Sequence, residues 1–407
     1  EKRVIVIGGG AAGLMAALAA CRQGAQVTLL EKNPRVGKKL LATGNGRCNF
    51  TNMNLDLDHY HGTNPRFVYG TFGRFTGLQT LEFFRQLGVE PKEEDAGKVF
   101  PASGQASSIL DVLRYQVKQE GVAMICDANV KSLVKNGPLF TVYTEVGSFE
   151  TDAVVLATGG KAGPQFGCSG DGYSLATSFG HQLVEPFPAL VQLRLSAPFL
   201  KAISGVKFIG QACIYQGNTL LNQTEGEILF TNYGISGPPI LALSRTAGEI
   251  LGRNQKPLLT VNMLPEQEPI EVENYLKRRF KEQGQKTAEF SLVGFINKRL
   301  IPVLLKEAKI NLRTKAAEIN AVQMASLAQL LTGWQFIVTG TNGWTAAQVT
   351  AGGLDVRDID SQTLCSRHVP GLYFAGEIVD IDGDCGGYNL QWAWSSGFVA
   401  GTSAAHS

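Results

Sequence analysis

Residues 3–13 read Arg-Val-Ile-Val-Ile-Gly-Gly-Gly-Ala-Ala-Gly, an apolar run that ends in Gly8-x-Gly10-x-x-Gly13. A β-branched run without polar alternation marks a strand buried on both faces, as in a parallel sheet. Ala11 to Gln23 is rich in Ala, Leu and Met and holds no proline, so it predicts a helix lying on that sheet. Gln26 to Leu30 gives the next strand, and the opening is therefore βαβ. In that setting the three glycines serve different ends. The first permits the tight turn, the second lets a pyrophosphate approach the backbone, and the third lets helix and strand pack closely. The helix N-terminal N–H groups then face the phosphates. Glu31 ends the second strand, 18 residues past Gly13, where its carboxylate can accept both ribose hydroxyls. The motif predicts a dinucleotide site and does not by itself separate FAD from NAD.

Two later stretches separate them. Asp152-Ala-Val-Val-Leu-Ala-Thr-Gly-Gly160 reads as a buried strand ending in Ala157-Thr158-Gly159, similar to the returning strand that flavoproteins place beside their cofactor, so Thr158 and Gly159 are expected there. Gly371-Leu-Tyr-Phe-Ala-Gly-Glu377 is another, ending in Gly376-Glu377 and leading on to Asp380 and to Gly386-Gly387-Tyr388-Asn389. Gly371 comes 340 residues after Glu31. So distant a return is expected when a long cofactor crosses the domain and its flavin end needs a separate lining, which favours FAD. No second strand–GxGxxG–helix unit occurs, so NADH or NADPH acting as reductant would visit the flavin face transiently.

Composition narrows the class further. Thirty-seven Lys and Arg against 35 Asp and Glu give a net charge of +2, which does not mark the whole chain as a nucleic-acid or membrane binder. Charged residues are only 18% and Gly is 47 of 407, the composition of a buried sheet with tight loops rather than a disordered chain. The seven cysteines (21, 48, 126, 168, 213, 365, 385) are odd in number and form no C-x-x-C, which fits reduced thiols and a cytoplasmic setting. With the first strand beginning at Arg3, no secretion signal is expected. The uncharged run from Gly386 to Ser407 contains Asn389, Gln391 and several Ser, and predicts a buried helix rather than a membrane span. There is no phosphate-binding G-x-x-x-x-G-K-[ST], no G-x-S-x-G and no His-Glu-x-x-His. His59-Tyr-His61 and Cys365-x-x-His368 are isolated pairs lacking two further ligands, so no metal is predicted.

The predicted organisation is a first domain part over residues 1–187, an inserted module over 188–350, and a return over 351–407. Within the insertion, 188–265 and 336–350 read as short β runs of a small barrel or sandwich, and 266–335 as a charged helical subdomain. Helical patterns also occur near Gly77–Leu87 and Ser107–Glu120, and strand-like runs at 122–126, 129–134, 139–146 and 149–157. Charge is unevenly spread. The segment 277–315 carries eleven Lys and Arg against three Glu, a local excess of eight in a chain whose net charge is +2. That pattern makes RNA contact through the segment an alternative to an ordinary solvated helical face.

Five blocks carry a resemblance. They are Gly37-Lys-Lys-Leu-Leu-Ala-Thr-Gly-Asn-Gly-Arg-Cys-Asn-Phe-Thr-Asn52, Gly97-Lys-Val-Phe-Pro-Ala-Ser103, Gly170-Asp-Gly172, Ile228-Leu-Phe-Thr-Asn-Tyr-Gly-Ile-Ser-Gly-Pro238 and Gly383-Asp-Cys-Gly-Gly-Tyr-Asn-Leu-Gln-Trp-Ala-Trp-Ser-Ser396. With these the chain resembles the BaiN-like flavoproteins, also called YhiN-like or the aminoacetone oxidase family, from residue 4 to residue 401. It departs from them at Asn45, where many members have Gly, and at Cys168-Ser169, where Ser-Thr is usual. The resemblance implies an α/β fold: a doubly wound Rossmann-type FAD-binding domain with an inserted small β-barrel carrying a helical subdomain. It implies that Gly8, Gly10, Ala12, Gly13, Glu31, Lys32 and Lys39 hold the ADP half, and that Val130 meets the adenine edge through its backbone. Leu40, Arg47, Cys48, Asn49, Gly376, Glu377, Gly387, Tyr388, Asn389 and Leu390 are expected along the rest of the cofactor. Cys48, expected beside the isoalloxazine, is the candidate catalytic proton donor, with Arg47 favouring its thiolate. Three activities follow as expectations. One is oxidation of a small amine such as aminoacetone by O₂. The second is reduction of a conjugated C=C bond, in an enone or in a ribosomal RNA uracil to give dihydrouridine. The third is FAD binding without catalysis. The substrate and the oligomeric state are left open.

Overall fold

A computed structural model describes all 407 residues, which divide into two compact units: residues 1–188 with 348–407, and residues 189–347. The first is built on a five-stranded sheet in the order Leu372–Phe374, Ala153–Leu156, Arg3–Ile7 (β1), Gln26–Leu30 (β2), Ala123–Ile125. All pairings are parallel, with Val4 opposite Ala153 and Ile5 opposite Thr28. Val4 to Ile7 and Ala153 to Leu156 are fully or almost fully buried, as their uninterrupted apolar sequences require. The chain runs outward from β1 through β2, then returns on the other side of β1. The strand order therefore reverses beside β1, and the crevice at the C-terminal ends of β1 and Ala153–Leu156 is where such sheets take ligands.

The helix α1 (Ala11–Arg22) packs against the C-terminal helix Tyr388–His406. Two glycines set that approach. A Cβ at Gly397 would lie 2.5 Å from the Ala12 carbonyl oxygen, and one at Gly401 would lie 2.2 Å from that of Ala16. Backbones this close need both Gly and Ala at the crossing. No helix of the chain is long and apolar enough to cross a membrane.

The run read as one strand over 149–157 is two. Gly147–Thr151 joins an antiparallel three-stranded sheet with Leu139–Thr144 and Val130–Asn136, and Ala153–Leu156 joins the parallel sheet. Asp152 makes the break: its Oδ2 accepts the Arg3 N–H at 2.8 Å, fixing the crossing point from one sheet to the other.

The second unit is a closed six-stranded barrel in the order Leu193–Ser196, Gly234–Ser236, Thr219–Phe230, Lys207–Gln216, Leu258–Asn262, Trp334–Thr341. Alternation is plain along the last strand, where Trp334, Phe336 and Val338 are buried and Gln335 and Ile337 are exposed. Between the last two strands come the helices Pro269–Glu282, Ala288–Ser291, Ile301–Glu307 and Ala321–Gly333. Besides the short helix Leu200–Ile203, one long helix departs from the sequence reading. Pro238–Gly252 is a fifteen-residue helix inside the stretch read as short β runs. Proline in its first turn starts it, and Ile240, Leu243, Ala247 and Ile250 give it a buried stripe.

Candidate functional site

The glycines after β1 form an open cradle. Gly8 has φ +106°, and a Cβ there would lie 2.3 Å from the Ala157 carbonyl oxygen. A Cβ at Gly13 would lie 1.8 Å from the Gly8 carbonyl oxygen. At Gly10 a Cβ would meet nothing within 4 Å. Two of these glycines are thus demanded by packing, while the third leaves space directly over the start of α1. That helix has no side-chain cap and no acid in its first turn, so its N–H groups remain available to an anion. Glu31 is buried beside it. Its Oε2 accepts the Gly9 N–H at 2.7 Å and its Oε1 the Asn33 N–H at 2.8 Å. Each oxygen keeps a lone pair for a ribose hydroxyl. The residues after strand Ala123–Ile125 lie alongside, with the Asp127 and Ala128 N–H groups donating to the Asn33 and Glu31 carbonyls at 3.1 and 2.9 Å. Val130 follows them at the start of its strand.

The returning strands close the crevice. Gly376, at φ +80°, lies so near Ala12 that a Cβ would be 2.8 Å from the Ala12 Cβ. It is held from behind: its N–H donates to Ser396 Oγ at 2.8 Å, and Trp392 Nε1–H donates to its carbonyl at 3.0 Å. Lys39 Nζ donates to Glu377 Oε2 at 2.9 Å, and Glu377 Oε1 accepts the Thr350 N–H at 2.5 Å. Burial works against the Lys39 charge, but Glu377 outweighs it and raises the ammonium pKa. Leu40 next to it is buried in the core. Lys32 Nζ reaches Ser169 Oγ at 2.8 Å and Asp171 Oδ2 at 2.9 Å, tying the 167–172 loop to the end of β2. Gly159, at φ +73°, borders the same loop, since a Cβ there would lie 3.5 Å from Cys168 Sγ. Two buried hydroxyls of this region, Thr158 Oγ1 and Tyr173 Oη, have no hydrogen-bond partner. Open space at Gly10, uncapped N–H groups, a braced carboxylate and two orphaned hydroxyls all fit a dinucleotide such as FAD.

The third group of expected residues lies along the segment 43–49 and the start of the C-terminal helix. Gly44, Asn45, Gly46 and Cys48 all take left-handed φ, from +55° to +84°. Cys48 is completely buried, and that burial pushes its thiol up to about 12. Arg47 is engaged elsewhere: it forms an ion pair with Glu94 at 2.5 Å, and its guanidinium lies 4.1 Å over the Phe100 ring. The expected thiolate beside a supporting arginine is therefore not the arrangement found. An atom that water cannot reach is equally closed to a substrate, which favours a packing role for Cys48. Asn49 Oδ1 accepts the Val99 N–H at 3.2 Å. Gly387, at φ +95°, is tight against Asn49 and the Thr51 carbonyl. Asn389 is spent on the backbone of Gly383, whose N–H it accepts and to whose carbonyl it donates, both at 2.8 Å. Leu390 is half-buried beside it.

Tyr388 leads to a group that sequence spacing did not reveal. Its ring stacks on His59 at 4.3 Å, and burial pushes its phenol up to about 12. His59 Nδ1 and His61 Nε2 lie 3.0 and 2.6 Å from the two oxygens of Asp384. Burial opposes the Asp384 charge, but the hydrogen bonds from His61 and His59 outweigh it and hold its carboxyl below the usual range. Both imidazoles are about one-third exposed. The His59-Tyr-His61 pair is thus not isolated. The signal was the nearby Gly383-Asp-Cys block, which strand pairing of Asp382 with His61 brings alongside. His368 is not isolated either: it faces Asp358, with His181 beside it.

The sequence profile of the family described as HI0933-like protein Rossmann domain matches residues 2–403. The chain is 39% identical to the 3-dehydro-bile acid delta(4,6)-reductase of Clostridium scindens, over 99% of both chains. It is 31% identical to the ribosomal RNA dihydrouridine synthase of Haemophilus influenzae, over 98% of this chain and 97% of that one. Among solved structures, the 3-ketosteroid-delta4-(5alpha)-dehydrogenase of Rhodococcus jostii RHA1 aligns with a TM-score of 0.50 at 16% identity, covering 100% of this chain and 97% of that one. That last likeness concerns the fold alone.

Proposed function

The chain belongs to the HI0933-like Rossmann-domain family, and from that premise we propose that it is an FAD-dependent reductase acting on a conjugated C=C bond of a small unsaturated ketone, with NADH or NADPH as the transient electron source. The observation that carries this reading is the full-length similarity to a bile acid reductase, 39% identity over 99% of each chain. It supports reduction ahead of the oxidation of an amine such as aminoacetone.

When bound, FAD supplies two-electron hydride exchange, which no side chain can perform. The remaining work falls to this chain. Gly10 leaves the pyrophosphate its space and α1 presents N–H groups to it. Glu31 takes the ribose hydroxyls, with Ala12, Gly13, Lys32, Lys39 and Val130 around the ADP half. Gly376, Glu377, Gly387, Tyr388, Asn389 and Leu390, together with Thr158, Gly159, Leu40, Arg47, Cys48 and Asn49, form or brace the walls toward the flavin end. Saturating an enone adds hydride at the β-carbon and a proton at the α-carbon, so a proton must be held nearby. His61 is suited to that place by geometry, being partly exposed with its Nε2 2.6 Å from Asp384 Oδ1, a carboxylate that orients the ring. His59 holds the other oxygen of Asp384 and so fixes the carboxylate that orients His61.

A second reading, reduction of a uracil in ribosomal RNA, has one observation of its own. Ten of the eleven basic side chains in 277–315 are exposed; Arg279 is tied to the Ser291 and Val293 carbonyls, and Arg299, though exposed, to that of Ala202. Anaerobic mixing of the yellow protein with NADH and NADPH tests the proposal. Rapid bleaching by either supports a reductase, and bleaching by aminoacetone but by neither nicotinamide overturns it.

A further inference from the structure

A cluster in the first unit plays no part in the reading above. His181 lies in the connector just before strand Leu183–Ala189, Asp358 ends the short helix Val356–Asp358, and His368 lies in the loop leading into strand Leu372–Phe374. That strand runs parallel to Ala153–Leu156 and β1, so its entry loop sits at the edge of the sheet opposite the glycine cradle. One ring nitrogen of His181, one of His368 and one carboxylate oxygen of Asp358 all lie within 4.8 Å of one another. Three such atoms can share a centre about 2.8 Å or less from each, so small side-chain rotations reach the ~2.0–2.2 Å of zinc ligation.

The surroundings of the three are built. His181 is 2% exposed, and its Nε2 is engaged with Ser366 Oγ at 2.6 Å. The other nitrogen, Nδ1, is buried with no hydrogen-bond partner, a costly state that a ligand would relieve. Asp358 Oδ2 accepts the Gln182 N–H at 2.9 Å, while Oδ1 faces His368 Nε2 at 3.1 Å. Ser366 and Gln182 thus orient one imidazole and the carboxylate, as outer partners do around bound metals. The His368 side chain is 40% exposed and Asp358 18%, which leaves an entry path and a position for water.

We propose that His181, Asp358 and His368 bind one divalent transition-metal cation of the zinc class. Two imidazoles and one carboxylate suit such an ion, whereas calcium or magnesium would require a shell of oxygens. Joining three separate segments beneath the returning strand, the cation would serve stability and take no part in redox chemistry at the opposite edge.

The test uses the tag-free, FAD-loaded protein, freed of metal with a chelator and titrated with Zn²⁺ by calorimetry and with Co²⁺ by visible spectroscopy. The proposal predicts one Zn²⁺ per chain at micromolar concentration, a higher Tm with Zn²⁺ but not with Mg²⁺, and Co²⁺ ligand-field bands. His368→Gln and Asp358→Asn should each lower the affinity about tenfold or more, with FAD content unchanged. Failure to bind at micromolar Zn²⁺, or binding that survives both substitutions, overturns it and leaves His368 and Asp358 as an ordinary ion pair.

Discussion

Lys39 Nζ donates to Glu377 Oε2 at 2.9 Å, joining residues 338 positions apart. The pair fastens the segment after β2 to the end of the last parallel strand, across the crevice that the strand order creates. Neither side chain is more than about a third exposed. Lys39→Ala leaves the partly buried Glu377 carboxylate without its partner, so it should lower stability by about 1–3 kcal/mol and weaken FAD retention. Glu377→Gln should cost at least as much, because an amide whose oxygen keeps the Thr350 N–H turns its NH2 toward the Lys39 ammonium, donor against donor. Urea unfolding with parallel flavin quantitation checks both, and equal stability of Lys39→Ala and wild type would show that the contact is idle.

The glycines of the cradle should separate folding from cofactor binding. Gly10→Val meets no protein atom within 4 Å of the new Cβ, so the protein should fold and purify colourless. Gly13→Ala would drive its Cβ to 1.8 Å from the Gly8 carbonyl, so it should damage the fold itself. Glu31→Ala should fold and bind FAD more weakly, by about 1.5–3 kcal/mol for each charge-assisted bond lost. A fully yellow Gly10→Val protein would remove the pyrophosphate from this position.

Cys48 should prove unreactive in the native protein. With its thiol pushed up to about 12 and no exposure, iodoacetamide should spare it and label it only after unfolding. The sign for stability follows. Between pH 9 and about 12 the unfolded chain releases this proton while the folded chain keeps it, so stability is full below pH 9 and falls as pH rises. Cys48→Ala should flatten part of that alkaline loss and keep turnover. Lost turnover with unchanged FAD content would restore the catalytic role to this thiol.

RNA contact through 277–315 makes a quantitative demand. A gel shift of ribosomal RNA fragments should appear at about 50 mM salt and fade by about 200 mM, weakened further by Lys277→Glu with Lys281→Glu. Lack of any shift at the lower salt would leave the small unsaturated ketone alone as the substrate class.

What the sequence made legible was local. β1, α1 and β2, the three glycines and Glu31 are set by a contiguous apolar run and fixed spacings. The Gly397–Ala12 and Gly401–Ala16 approaches were not legible, because the partner that makes those glycines necessary lies hundreds of residues away. The break at Asp152 was hidden for the same reason, since it depends on the Arg3 N–H. Pairs that looked isolated as text, His59 with His61 and Cys365 with His368, acquire partners only through strand pairing and loop packing. Even then Cys365 does not join His368: it pairs across to Tyr373.

Electrons are expected to flow from nicotinamide through the flavin to the C=C bond. Wild-type and His61→Gln holoproteins, reduced anaerobically and mixed in a single turnover with a 3-oxo-Δ4 steroid-type enone, report this direction through flavin absorbance and product mass. The wild type should regain its yellow colour as the enone gains two hydrogens, and His61→Gln, with equal FAD content, should do so about 10²–10⁴-fold more slowly, the span of lost general acid catalysis. Reduced protein that stays bleached with the enone but recolours in O₂, with aminoacetone able to bleach it again, would instead identify an amine oxidase.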